Sequence, residues 1–287
     1  MINLFFRASL FVLLLSTSWL VAAQQFTFET IDIPGATRTA VNGLSEDKLV
    51  GEFDDADGNT HGFKLGKHSF KQIDVPGSVM TTANGINEKG EIVGIYAKSD
   101  GILHGFFKNE NGAVKTIDPP NTIRTIAFGL NDLGHVVGQY RTNPGEVRHG
   151  YLWKIGKFTT ITPPGAIGTT AVGINNNDQI VGTYVDSENN RHGFLLSKGT
   201  YKTIDFPGAA FTVCQGINNE GQIAGLYLDT DGNLHGFLLD GGVFTTVDVP
   251  STFNSQVFAI NDAGQVAGQY DDANGVTHGF VGTPTDR

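Results

Sequence analysis

The chain holds a single cysteine, Cys214, so no internal disulfide can form. It sits in the apolar-flanked segment Phe211-Thr-Val-Cys214, where a buried, inert thiol is expected. Basic residues are also few: 19 Lys and Arg face 29 Asp and Glu, for a formal charge of −10, and no basic run occurs. That balance argues against nucleic acid or an anionic membrane surface as partner. Beyond the first 23 residues no stretch is long and apolar enough to cross a bilayer. Amphipathic helical periodicity is missing over the same region. So are Gly-x-Ser-x-Gly, His-Glu-x-x-His, a phosphate loop and paired zinc cysteines. What is abundant is glycine, at 38 residues, spaced between short runs of β-branched and aromatic residues. The chain reads as all-β.

The N-terminus stands apart. Met1 to Arg7 carries one cation and no acid, Ala8 to Leu20 is apolar, and Val21-Ala22-Ala23 precedes Gln24-Gln25. Small residues at the last and third-last positions predict a signal peptide over residues 1–23, cut after Ala23. An uncleaved anchor is the alternative, for which the apolar run is short. No cysteine follows the cut to carry a lipid. Residues 24–287 are then one exported domain, secreted or periplasmic, with no membrane span of its own.

That domain is a repeat. His-Gly-Phe, once His-Gly-Tyr, recurs at His61, His104, His149, His192, His235 and His278, at spacings of 43, 45, 43, 43 and 43 residues. A period of this length means one supersecondary unit laid down six times. Each unit has four strand-like segments, in the second unit Phe70–Asp74, Thr81–Asn87, Glu91–Tyr96 and Leu103–Phe107. Segments two and three are joined by turns ending in Gly90, Gly134, Gly221 or Gly264, where a left-handed backbone is needed. The fourth segment and the next first segment are joined by tight turns such as Lys67-His68 and Lys198-Gly199.

Two-residue turns fix register. They set His61 opposite Asp74, His192 opposite Asp205 and His235 opposite Asp248; a turn one residue longer sets His104 opposite Asp118. His149 meets Thr162, with no acid. His278 has no following strand, whereas the opening segment Phe26–Asp32 is a first-type strand with no preceding unit. Closing a ring places Asp32 against His278. The expectation is a six-bladed β-propeller of four-stranded blades, closed by the N-terminal strand, with a β-sandwich or solenoid as the alternative. Directly opposed residues lie about 5 Å apart at Cβ, so each His–Asp pair reads as a structural hydrogen bond and not as a catalytic unit. His68 and His135, outside the column, read as solvent-facing.

Gly173-Ile-Asn175, Gln179-Ile-Val-Gly182 and His192-Gly-Phe194 resemble the repeat of bacterial extracellular HAF-repeat proteins, and the likeness covers nearly all of residues 24–287. Gly stands where that motif has Ala between His and Phe. The resemblance implies an exported propeller-like repeat protein and supplies no catalytic residues.

Function is sought where the regularity breaks. The Phe/Tyr columns read as blade-to-blade packing, because a ligand site seldom needs six equal copies. Trp153, the one tryptophan after the signal, is a candidate ligand contact. Acidic turns cluster Asp54 with Asp57, Asp229 with Asp231 and Asp271 with Asp272, carboxylates that could take calcium; no other cofactor is expected. Pro-Gly loops and these acidic turns fall on one face of an antiparallel blade. The preferred reading is a monomeric binding module holding a protein or glycan partner on that acidic loop face. The alternatives are a propeller enzyme, a polysaccharide hydrolase or lyase with carboxylates at the axial pocket, and a purely structural surface protein.

Overall fold

Among the described residues, glycine and Asx turns cut the chain into twenty-four strands with no helix, arranged as six antiparallel four-stranded sheets around a central axis. This computed structural model describes residues 25–285; the expected signal peptide lies outside them. The first blade is β2 (Arg38–Leu44), β3 (Lys48–Asp54), β4 (Thr60–Gly66) and β5 (Ser69–Ile73), innermost to outermost. The second runs β6 (Met80–Ile86), β7 (Ile92–Ala97), β8 (Leu103–Lys108), β9 (Val114–Thr116). The third is β10 (Arg124–Leu130), β11 (Val136–Arg141), β12 (His149–Lys154), β13 (Lys157–Ile161). The fourth is β14 (Gly168–Ile174), β15 (Ile180–Val185), β16 (Arg191–Ser197), β17 (Thr200–Ile204). The fifth is β18 (Phe211–Ile217), β19 (Ile223–Leu228), β20 (Leu234–Asp240), β21 (Val243–Val247). The sixth joins β22 (Phe253–Ile260), β23 (Val266–Asp271) and β24 (Thr277–Pro284) to β1 (Phe26–Ile31) from the start of the chain. The chain is a six-bladed β-propeller closed by its N-terminal strand.

Register follows from the turns. Gly62 faces Ile73 and Gly193 faces Ile204, as two-residue connections require. The left-handed turn positions are Gly90, Gly134, Gly221 and Gly264, with φ between 72° and 82°. A bulge recurs in all six inner hairpins at one place, as at Ala83/Gly85 and Ala171/Gly173, and the sixth blade has a second irregularity. The carbonyl it turns inward explains the glycine of Val-Gly. A Cβ on Gly182 would lie 2.1 Å from Thr170 O and 2.9 Å from the Phe194 ring. The glycine of His-Gly-Phe is crowded too: a Cβ on Gly236 would meet Val257 of the next blade at 2.6 Å.

The core lies between blades. Phe63, Phe106, Tyr151, Phe194, Phe237 and Phe280 are each at most 1 % exposed. Burial of such a ring contributes about 2–3 kcal/mol. Below, five of the six blade junctions are tied by a relay of asparagines. Asn87 Nδ2 donates to Asn131 O at 3.1 Å, Asn131 to Asn175 O at 3.0 Å, and Asn175 to Asn218 O at 2.9 Å. Asn218 continues to Asn261 O at 3.1 Å and Asn261 to Ser45 O at 3.4 Å. These bonds are buried, so each unmade one would cost about 1–3 kcal/mol. His135 belongs to this lower face. It is 5 % exposed, not solvent-facing, because the turn of the fourth blade packs on it and Asp178 lies 2.7 Å from its Nδ1.

Two outcomes follow from this packing. Deleting residues 25–35 removes β1 and frees the β24 edge, and should destabilise the fold by about 5 kcal/mol or more; unchanged cooperative melting would contradict ring closure. Tyr151 alone replaces phenylalanine in its column, and its buried hydroxyl has no hydrogen-bond partner. Tyr151→Phe should therefore stabilise by about 1 kcal/mol or more in urea unfolding, and a loss of stability would reject that account.

Candidate functional site

Chain direction sorts the connections. The glycine turns and the β4–β5-type turns fall on the lower face, and the acidic turns and Pro-Gly loops on the upper. The two upper sets touch: Thr37 N donates to Asp54 O at 2.8 Å, Ile167 N to Val185 O at 2.8 Å and Ala210 N to Leu228 O at 2.8 Å. This rim is the candidate functional face.

Beneath it lie the column histidines, held at the starts of the third strands from the axis. Nδ1 of His61 is 3.0 Å from Asp74, that of His104 2.7 Å from Asp118, and that of His192 2.9 Å from Asp205. His235 reaches Asp248 at 2.6 Å, and His278 reaches Asp32 of the opening strand at 2.9 Å. Each ring also lies against the aromatic residue opposite it, as in Tyr184–His192 and Tyr227–His235, with centroids 5.1 Å apart. The tyrosine hydroxyl then bonds a threonine of the outermost strand, as Tyr184 does Thr203 at 3.0 Å.

The other ring nitrogen has a second carboxylate that register arithmetic does not reveal. His61 Nε2 is 3.3 Å from Asp55, His192 Nε2 is 3.3 Å from Asp186, and His235 Nε2 is 3.1 Å from Asp229. In the sixth blade Asp272 stands 3.7 Å from His278. The signal was an Asp six residues before the histidine in four of six units. These acids also build the turns: Asp186 accepts from the Glu188 and Asn190 backbone N–H groups, both at 2.8 Å. Hydrogen bonds from Asn59, Asn190 and Asn233 hold the Asp55, Asp186 and Asp229 carboxyls down near about 2.

The calcium candidates are accordingly scattered among other duties. Asp54 accepts from Thr60 at 2.7 Å, Asp271 from Thr277 at 2.8 Å, and Asp229 and Asp272 from their own turns. Asp57 and Asp231 are exposed turn residues donating backbone N–H to Asp55 and Asp229. Among the described residues no three metal-ligating side chains converge. Trp153 is far from the rim: it lies at the lower end of β12, half-buried against Phe107, with Lys115 Nζ 5.0 Å from its ring. Cys214 is buried, and burial pushes its thiol pKa up.

The third blade departs from the pattern. Its upper turn is one residue longer, from Tyr140 to His149, which with the longer β8–β9 turn accounts for the spacing of 45. His149, facing Thr162, takes Glu146 at 3.3 Å instead. Glu146 is held near about 2 by Thr142, through its hydroxyl and its N–H, and by His149 and Asn143. Four of the five arginines among the described residues gather here: Arg124, Arg141, Arg148 and Arg191. Arg141, Arg148 and Arg191 share one recess of about 270 Å³ between the third and fourth blades.

The axis holds a separate cavity of about 350 Å³, lined from all six innermost strands. Its one lining carboxylate, Glu52, is ion-paired with Arg38 at 2.6 Å. Leu44, Ile86, Leu130, Ile174, Ile217 and Ile260 form its floor and separate it from a smaller polar mouth below. The carboxylate pair that a polysaccharide-cleaving reading requires is not found in this lining.

No known protein family's sequence profile matches the chain, and no curated protein matches it either. Solved structures do match. TolB from Acinetobacter baumannii superposes with a TM-score of 0.60 at 10% identity, over 83% of this chain and 64% of that one. SapL1 lectin, solved with alpha methyl fucoside, gives 0.56 at 13% identity over 84% and 90%. The six-bladed fucose lectin of Aleuria aurantia gives 0.50 at 14% identity over 90% and 99%. The likeness is one of fold.

The paired carboxylates predict a pH profile. At His61 the Asp74 hydrogen bond is the largest influence and raises the pKa; at His192 and His235 partial burial lowers it, but two carboxylates outweigh burial. Their stabilising effect is full below about pH 6.5 and is lost as pH rises through the raised values. The depressed turn carboxylates contribute above about pH 4 and lose their effect toward pH 2. Melting temperature should peak between about pH 4 and 6.5 and fall by pH 8; imidazole resonances titrating near about 6.5 with a flat melting profile would contradict this.

Proposed function

We propose that this chain is an exported binding module of the HAF-repeat kind, secreted or periplasmic, acting as a monomer that holds a glycan or protein partner on its upper loop rim. The observation carrying this reading is the distribution of irregularity. Below the rim the blades repeat one another in hydrogen bonding, packing and register, whereas the rim of the third blade changes length, charge and histidine partner, with Arg191 of the fourth blade beside it. Loops on a rigid scaffold are where binding specificity is placed at least structural cost. Two of the structural neighbours are lectins whose structures concern fucose, and a six-bladed ring presenting loops to sugars is consistent with that use. No helix among the described residues is long and apolar enough to cross a membrane.

The test is capture on an immobilised glycan panel and from bacterial cell-surface material. Retention should disappear when loop residues 121–124, 143–148 and 166–168 are replaced by Gly-Ser sequence. It should persist in a Lys67→Gln/Lys198→Gln variant on the lower face. Absence of any partner, or capture indifferent to the rim substitutions, would contradict the proposal.

A further inference from the structure

The recess between the third and fourth blades runs against the charge of the molecule. In a chain with a net charge of −10, three arginines line it against one carboxylate, Glu146, whose oxygens are already bonded to Thr142, Asn143 and His149. None of Arg124, Arg141, Arg148 and Arg191 makes an ion pair among the described residues, whereas Arg38 of the first blade pairs with both Glu52 and Asp54. The contrast is one of position. At the upper end of the inner hairpin the first blade sets Arg38 opposite Asp54, and the third sets Arg124 opposite Arg141. Like charges directly opposed across a strand pair are destabilising, so folding alone gives no reason for the second arrangement. Partial burial, and then Arg191, Arg141 and Arg124 nearby, push the Arg148 pKa below its ordinary value.

The rest of the recess suits a sugar. Thr169 is 4 % exposed and lines it. In four other blades the equivalent hydroxyl accepts a backbone N–H, as Thr81 does from Val75 and Thr212 from Phe206. In the third and fourth blades the donor position is a proline, Pro119 or Pro163, with no N–H; Thr125 turns to Thr122 at 3.3 Å, but the fourth blade has Ala166 there, so Thr169 lacks both of these partners. Val147 and Ile167, 44 % and 42 % exposed, give the recess an apolar edge. Arg191 is held in place over the Phe211 ring at 5.1 Å.

We propose that this recess binds an anionic saccharide, a sugar bearing a carboxylate or a sulfate ester, with its oxyanion on Arg148, Arg141 and Arg191. The planar guanidinium matches both oxyanions bidentately. Thr169 and Asn189 face the ring hydroxyls, and Val147 and Ile167 face its C–H surface. An extended acidic peptide would need a long groove or a free sheet edge, and a compact recess closed by turns offers neither. The inference rests on the reading of the upper rim as the binding face and narrows it to one ligand class.

Titration calorimetry on the full domain tests it, with galacturonate oligomers, sulfated dextran oligomers, unmodified dextran oligomers and poly-glutamate as probes. At least one anionic saccharide should bind while unmodified dextran does not, and which one binds identifies the oxyanion. Arg148→Gln and Arg191→Gln should each weaken binding about tenfold, with unchanged melting. Lys67→Gln/Lys198→Gln, with the same charge change as the double arginine variant, should leave affinity intact. Equal weakening by the lysine variant, or full affinity in Arg148→Gln/Arg191→Gln, would overturn the site. Tighter binding of poly-glutamate than of both saccharides would overturn the saccharide assignment. If no anion binds but rim-dependent capture of another partner persists, this inference fails and the rim reading stands; loss of both rejects both.

Discussion

A four-stranded blade cannot cover its own faces, and every other feature of this molecule depends on each blade having a neighbour on both sides. Six repeats satisfy that condition only if the ring closes. The pairing of β1 with β24 closes it, and the last blade is thereby made from the two ends of the chain. Closure buries the phenylalanine column between blades and lets the asparagine relay pass from the sixth blade to the first. It also gives His278 the carboxylate that its own unit lacks.

Within that ring the histidine column acts as a clamp. One ring nitrogen ties the two outermost strands together through the acid opposite, and in several blades the other ties the upper turn down through a second acid. A tyrosine closes the ring face in five units. None of this converges on a single point in space, since each set belongs to its own blade. Six-fold repetition is thus a property of the scaffold, and the third blade, which breaks it in turn length, histidine partner and charge, is where the proposed function is placed.

Much of this was legible from residue spacing. Two-residue turns leave no freedom of register, so His61 with Asp74 and His278 with Asp32 could be placed from residue numbers alone. Other features were not. Asp55 and its equivalents reach the histidine only because the upper turn folds back on its own N–H groups, a conformation that period and register do not encode. His135 looked exposed because its covering residue, Asp178, lies 43 residues away on the next blade. Trp153 stood out as a solitary aromatic, yet register puts it at the lower end of β12, away from the loops. The arginines escaped notice for a similar reason: Arg141 and Arg191 are distant in sequence and share a recess only across a blade boundary.

The central claim is that the upper rim at the third and fourth blades, and not the axis or the lower turns, is where this propeller engages its ligand. Amide hydrogen exchange measured with and without galacturonate oligomers, and likewise with sulfated dextran oligomers, maps that contact directly. The account predicts added protection in residues 141–149, 167–170 and 189–192, with the turns at 87–90, 131–134 and 218–221 unchanged. Protection confined to those lower turns or to the innermost strands would contradict it.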